Sequence, residues 1–536
     1  MTRPRLRGPS VADLNVWFVL LVVLLLGAVV RIAPLSSSDY PLNDGGLFAR
    51  MSSDLAANGF LIPGFTGYNG GAIPFAYPPL GLYLTAGIDT LLGVDPIETL
   101  RWLPAAFSAA SVLAMYLLAA ELLRSRWRGV IAAAAFALMP RSYLWLIVGG
   151  GATRALGLFF ALLAVRQGVV MLRHLRSRDI VATAILGGLT GLAHPQAAVF
   201  LGLSLLTVPA FHIAPGRRVA SVVRIALAAV GALLVASPWL LAVVIIHGPA
   251  PLLAAGQTGL DLGIGASQLL GLAFADTPVF DLMTALGVLG ILVRIARRQW
   301  MIPVWLVLTI LIDPRAGMTY ATVPLALSVV PILGELIARM APAHGATATL
   351  EAATVPVVLR RHPALAILAV LLLFVSLRTA ARTAVAETSP LHGLQPDHVA
   401  AMGWVRDNTG AEATFSVVTG GSWERDYLSE WFPVLARRTS VATVQGSEWR
   451  GFSAFLRRLA IYRQLQECGL GTAACLGEWA KGWELPQSYV FLPKASLFGP
   501  SSPTDCCPAL RETLMISAQY RVIYDGPGAT IFAPTD

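Results

Sequence analysis

The side chains able to do chemistry in this chain are few, and they stand at the edges of apolar runs. Asp44 follows Asn43 and precedes Gly45 and Gly46, just beyond the first apolar run, Val16 to Val30. A carboxylate flanked by glycines lets a substrate approach the backbone closely and suits a general base. The position also suits an N-cap, since a carboxylate before a helix accepts its first N–H groups, and the two roles are compatible. Asp39 is read as a solvated loop acid. Arg154 ends the run GGGATR, and His194 precedes Pro195 and Gln196 at the close of an apolar run, where it could simply cap a carbonyl. Asp313-Pro314-Arg315 lies between two apolar runs, with Tyr320 after it. An arginine beside hydrocarbon is costly unless its charge is met, so Arg315 either neutralises Asp313 or binds a substrate phosphate, the latter being the expectation. Asp261, Asp276 and Asp281 are expected to be solvated or paired. The glycine-rich pieces GGG and GLDLGIG lack the strand and helix of a nucleotide fingerprint.

The elements that must carry these residues are membrane helices. The 536 residues are 56% apolar and 13% charged, with a mean hydropathy of +0.68, against about 25% charged residues in soluble domains. The net charge of +9 is spread over short clusters at 124–128, 173–178, 217–224, 294–298 and 360–361 between apolar runs. That is the positive-inside pattern, and it argues against a nucleic-acid partner. Arg3, Arg5 and Arg7 precede a first run with no small-residue cleavage site, so an uncleaved first span is expected. About eleven spans are expected, near 15–34, 102–123, 129–148, 155–172, 180–193, 196–213, 222–246, 278–296, 301–313, 320–339 and 364–381. The segment 79–94 is ambiguous. If it crossed, every later basic cluster would fall outside, so it is read as a helix of a large outer loop spanning 35–100. With that parity GGGATR, His194 to Gln196, the loop 247–280, Asp313 to Arg315 and everything after about 382 share the extracytoplasmic side of a plasma membrane.

Within the outer loop, Leu47, Met51, Leu55 and Phe60 recur at near-helical spacing opposite Arg50 and Asp54. The pattern predicts an amphipathic helix over 45–60 lying on the membrane surface. Glycines and prolines from Pro63 to Pro79 then turn the chain back toward the bilayer. The chain divides into a membrane module, 1–381, and a C-terminal extracytoplasmic α/β domain, 382–536. The latter is expected to hold helices at 398–407, 427–436 and 508–517, strands at 415–419, 441–444 and 489–492, and a hairpin over 521–533 turning at Asp525-Gly526. All four cysteines, Cys468, Cys475, Cys506 and Cys507, lie there. Their placement fits an oxidising compartment and one or two disulfides, with the expected bridge running from Cys468 or Cys475 to the adjacent pair. Their spacing is wrong for a zinc ribbon. The segments EWFPV (430–434) and GSEW (446–449) suit carbohydrate stacking or core packing equally.

A first span, an outer-loop acid, a surface helix ending in N-G-F-L-I-P and then Y-P-P-L-G-L-Y-L from Tyr77 to Leu84 together resemble the GT-C superfamily of polyprenyl-phosphate-sugar glycosyltransferases. That superfamily includes the protein O-mannosyltransferases and the bacterial aminoarabinose transferase. The parity count, seven spans before a second long outer loop, is similar to the GT-C module. The resemblance covers roughly residues 10–250 in architecture, and its motif identity is confined to Asp44 and the Pro78-Pro79 region. It implies an inverting transfer of a hexosyl or pentosyl unit from a polyprenyl-phosphate-linked sugar to a lipid, glycan or protein acceptor. Asp44 would be the catalytic base, with Tyr77, Arg154, His194, Arg315 and Tyr320 binding substrate. In the superfamily a second acid usually sits in the next outer loop. Here that loop carries Arg154 instead, which favours metal-independent chemistry and a phosphate contact. No cofactor is called for, and a divalent cation is left open. The rival reading is a transporter or flippase of lipid-linked sugars, which would put acids or broken helices near the bilayer midplane within inverted repeats. No repeat is visible. A scaffold that binds the lipid without transfer is a third reading.

Overall fold

The computed structural model describes residues 11–211, 215–257, 261–274, 280–340, 363–386, 389–494 and 506–535. Arg3, Arg5, Arg7, Asp276 and the basic pair 360–361 lie outside the described residues.

Helices occupy each of the segments expected to span. Val11–Ile32, Pro96–Leu123, Gly151–His174, Arg218–His247 and Pro363–Val385 are the long ones, and Pro314–Tyr320 runs almost directly into Thr322–Met340. Among the described residues six helical stretches are long and apolar enough to cross a membrane. The chain is a multi-pass membrane protein. One expected span is shorter than the sequence implies: the helix that begins at Arg126 stops at Leu138. Pro140 then opens a single tight turn, and residues up to Gly150 form a buried, non-helical passage. Proline cannot donate the N–H that would continue the ladder. Arg31, at the end of the first helix, is wholly buried. It donates to Ser108 Oγ, Ser142 Oγ and the carbonyls of Gly27 and Ala137, each at 3.0 Å. Such full pairing is what a buried cation requires, and it ties three helices to the turn after Pro140.

The C-terminal region is built on a five-stranded sheet in the order 439–440, 414–417, 489–493, 529–534, 520–525. The first three strands are parallel, and the last two add antiparallel. Side chains alternate between its faces, as a strand period of two requires. Phe415, Phe491 and Ile531 join one core with the helix Tyr427–Leu435, while Val490, Leu492 and Phe532 join another beneath Phe452–Glu467 and Ala473–Gly482. The latter two helices lack a counterpart in the sequence reading, and the strand expected at 441–444 is instead the short pairing at 439–440.

Two expectations are corrected. The loop helix forms over Gly46–Ala57, but its apolar face does not meet lipid. Leu47, Met51 and Leu55 are buried in one core with Leu428, Trp431 and Phe432 of the C-terminal region and with Leu82 and Ala86 of the helix Leu80–Leu92. The hydrophobic stripe is real, and another part of the chain covers it. Full burial of each such side chain contributes about 1.5–3 kcal/mol. The disulfides pair Cys468 with Cys475 and Cys506 with Cys507, not one pair with the other. Cys468 and Cys475 are brought together by the turn between Phe452–Glu467 and Ala473–Gly482.

Candidate active site

The site begins where the first helix hands over to the loop helix. Asn43 takes a left-handed conformation at φ 54°, which asparagine tolerates better than most residues. It is held there on three sides: its N–H donates to the His392 carbonyl at 2.6 Å, its amide to the Glu424 carbonyl at 2.9 Å, and its carbonyl accepts the Trp431 indole at 3.1 Å. Gly45 follows at φ 138°, a conformation open to glycine. A Cβ on it would lie 3.1 Å from the Trp431 ring and 3.2 Å from Gly149 Cα. The glycine turn of GGGATR therefore packs backbone to backbone against Asp44 and Gly45, with Gly149 donating to the Leu42 carbonyl at 2.9 Å.

This approach fixes the carboxylate. Asp44 Oδ1 accepts the Gly150 N–H at 2.7 Å, and Oδ2 accepts from Arg154 Nη2 in a direct ion pair. Asp44 is not the cap of the loop helix. Glu430, reaching over from the C-terminal region, accepts the backbone N–H of Leu47 at 3.2 Å and faces the start of that helix. Its carboxyl is pushed up to about 8, first by burial and then by the charge of Asp44.

Asp44, Tyr77, Arg154, His194, Arg315 and Glu448 line one cavity of about 570 Å³, within the range of ligand sites. Arg141 and Arg463 add two further guanidinium groups to its wall. A second cavity of about 320 Å³ adjoins it through Tyr77, His194, Gln196, Arg315 and Glu448, and continues between Val199, Trp239, Leu252, Ile312 and Trp449. One chamber is charged, the other apolar, and the shared residues stand at their junction. There the buried Nδ1 of His194 and Oε2 of Glu448 make no hydrogen bond within the described residues. The His194 ring caps neither of its flanking helices. Arg315 lies with its guanidinium carbon 5.7 Å above the Trp423 ring. Asp313 is engaged by the Gln196 amide at 2.9 Å and by the Ala316 N–H. Tyr77 packs edge-on against Phe48 at 4.9 Å and beside Trp449 at 5.3 Å.

Tyr320 stands apart from the other sequence candidates. It is buried in the helical bundle, stacked on Phe200 at 4.9 Å, and lines neither cavity. Asp39 is exposed, as read. Asp261 and Asp281 cap the helices that follow them. Glu430 and Glu448 come from the aromatic-acid segments of the tail; Trp431 packs in the core and Trp449 borders the apolar cavity, while the two carboxyl groups line the charged one. Sequence reading missed Arg141, Trp423 and Arg463, whose neighbours in the chain carry no pattern that sets them apart. Among the described residues no cluster of His, Cys, Asp and Glu is arranged to hold a metal ion. At Asp44 itself a guanidinium and a peptide N–H already meet the carboxylate oxygens, which does not fit a divalent cation there.

No protein-family model matches the sequence, and no curated protein matches it. Its fold does match solved structures. The oligosaccharyltransferase AglB of Archaeoglobus fulgidus, in complex with an inhibitory peptide and a dolichol-phosphate, superposes with a TM-score of 0.57 at 15% identity, over 89% of this chain and 69% of that one. ArnT of Cupriavidus metallidurans bound to undecaprenyl phosphate gives 0.52 at 14% identity, over 96% and 97%. The mycobacterial arabinofuranosyltransferase AftD gives 0.51 at 17% identity, over 97% of this chain and 41% of that one. A membrane bundle, a long loop held under a sheet-containing C-terminal region and a charged chamber beside an apolar one are here joined in a single chain, and its fold is the GT-C fold of these glycosyltransferases.

Proposed function

We propose that the protein is a membrane glycosyltransferase that moves a sugar from a polyprenyl-phosphate donor to an acceptor hydroxyl or amide at the outer face of the membrane. The observation that carries this reading is the junction of the two chambers. Arg315 and His194 border both the apolar cavity, suited to an isoprenoid tail, and the charged cavity that holds Asp44. The fold is shared with ArnT, whose structure was solved with undecaprenyl phosphate bound.

In this reaction Asp44 takes the acceptor proton as the acceptor oxygen or nitrogen bonds to the anomeric carbon. The bond from that carbon to the phosphate oxygen breaks, and its electron pair leaves with the phosphate. Arg315, with His194 beside it, meets the charge that develops there, where fixed donors act most strongly. Arg154 orients the Asp44 carboxylate through their ion pair and faces the same chamber. Residues 1–381 form the membrane module and 382–536 the domain that closes it from outside. The basic clusters at the opposite ends of the helices support that orientation.

The test is transfer of radiolabelled sugar from polyprenyl-phosphate donors in lipid nanodiscs. Asp44→Asn should lower transfer by about 10²–10⁴-fold while leaving polyprenyl-phosphate binding. Normal turnover in both Asp44→Asn and Arg315→Ala removes the assignment.

A further inference from the structure

A third cavity, of about 530 Å³, lies wholly within the C-terminal region and shares no residue with the two above. Its floor is buried. Ser416, on the strand 414–417, and Ser488, just before the neighbouring parallel strand 489–493, share a hydroxyl hydrogen bond of 2.7 Å, with Val490 and Trp479 beside them. Its walls are the exposed amides of Gln487 and Gln519, the half-buried ring of Tyr520, and Lys481. The Tyr520 hydroxyl bonds to the Gln487 side chain. The Gln487 amide leans on the Gln519 carbonyl at 3.5 Å.

The chemistry of this lining narrows its ligand. Among the described residues no carboxylate lines it, and a single lysine is too little positive charge for a nucleic acid or a polyanion. What it offers is a hydroxyl pair, two primary amides that both donate and accept, and an aromatic ring with a polar tip. That set matches a neutral polyhydroxylated ligand.

We infer that this cleft is a saccharide-binding site remote from the reaction, which holds the glycan portion of a substrate or product. Its position favours such a role. Trp479 donates its indole N–H to the Ile461 carbonyl at 3.0 Å. Ile461 belongs to the helix Phe452–Glu467, whose Phe455, Leu459 and Arg463 line the charged chamber. One helix therefore borders the reaction chamber and braces the wall of the saccharide cleft. The inference does not depend on Asp44 being a base.

The test uses the full chain in lipid nanodiscs, free of sugar-based detergent, and neutral oligosaccharides of glucose, mannose, galactose and arabinose as probes, read by saturation-transfer NMR and titration. At least one series should bind saturably. Gln487→Ala, at an exposed position, and Tyr520→Ala should each weaken it about tenfold, or 1.4 kcal/mol, while Asp44→Asn leaves it unchanged. Binding by none of the probes, or binding unaltered in both cleft variants, overturns the proposal. Loss of binding in Asp44→Asn, with the cleft variants unaffected, assigns the saccharide to the catalytic chamber and overturns it equally.

Discussion

The carboxylate of Glu430 accepts the backbone N–H of Leu47 at 3.2 Å, across 383 residues of sequence. A side chain of the C-terminal region thus closes the start of the loop helix, and Asp44 is released from capping to face Arg154 and the cavity. The Asp44 carboxylate and its support are supplied from three distant parts of the chain.

Replacing Asp44 with asparagine keeps the side chain's size and an acceptor for the Gly150 N–H but removes its charge. Turnover is expected to fall by about 10²–10⁴-fold, the usual worth of a positioned base. Single-turnover transfer from labelled donor measures this, with thermal unfolding as the control for folding.

Arg315→Ala should weaken donor binding more than it alters the base. Charge-assisted hydrogen bonds are worth about 1.5–3 kcal/mol, so the affinity for polyprenyl phosphate should drop roughly 10- to 150-fold. Titration of the lipid phosphate into nanodisc-embedded protein reads this directly, and unchanged affinity would exclude Arg315 from the phosphate site.

Gly149→Ala tests the backbone contact. A Cβ at Gly149 would collide with the Asp44 carbonyl, which as main chain cannot swing aside. Overpacking of this kind costs about 1–3 kcal/mol. The variant should unfold at lower temperature and lose transfer activity although it alters no charged group.

Glu430 makes stability pH-dependent in a defined direction. Its folded carboxyl is raised from 4.5 to about 8 by burial and by Asp44, so between those values the folded state holds a proton that the unfolded state releases. The unfolded state binds fewer protons, and stability contributed by this group is complete below about 4.5 and declines as pH rises toward 8. Glu430→Gln keeps an acceptor for the Leu47 N–H and should flatten that decline in melts recorded from pH 5 to 8.5. An unchanged slope would assign it to Asp426 or Glu448, which burial also raises.

What the sequence made legible was periodic or punctuated. The long apolar helices, the loop helix and the closing hairpin were readable because hydrophobic period and turn residues act locally. The destination of the loop helix was not readable. An apolar stripe records that Leu47, Met51 and Leu55 must be covered, but lipid and the helix Tyr427–Leu435 satisfy that equally. Arg154 was read as a phosphate ligand, and the structure adds its ion pair with Asp44, a contact created by a fold-back of the glycine turn. The cysteine pairing failed for the same reason. Proximity of Cys468 to Cys475 depends on a helical turn after Glu467 that no pattern announced. Tyr320 follows Arg315 closely in sequence, yet the helix that carries both turns its ring into the bundle core.

The clasp of Glu430 on the loop helix also sets a timetable. Asp44 is synthesised and inserted early, but the group that seats the segment after it emerges only when more than three-quarters of the chain has left the ribosome. A nascent chain halted before that point contains Asp44 and the loop helix but not the carboxyl that holds the start of that helix. The segment that follows Asp44 therefore reaches its final seat late in synthesis, once the C-terminal region that carries Glu430 has been made and has folded.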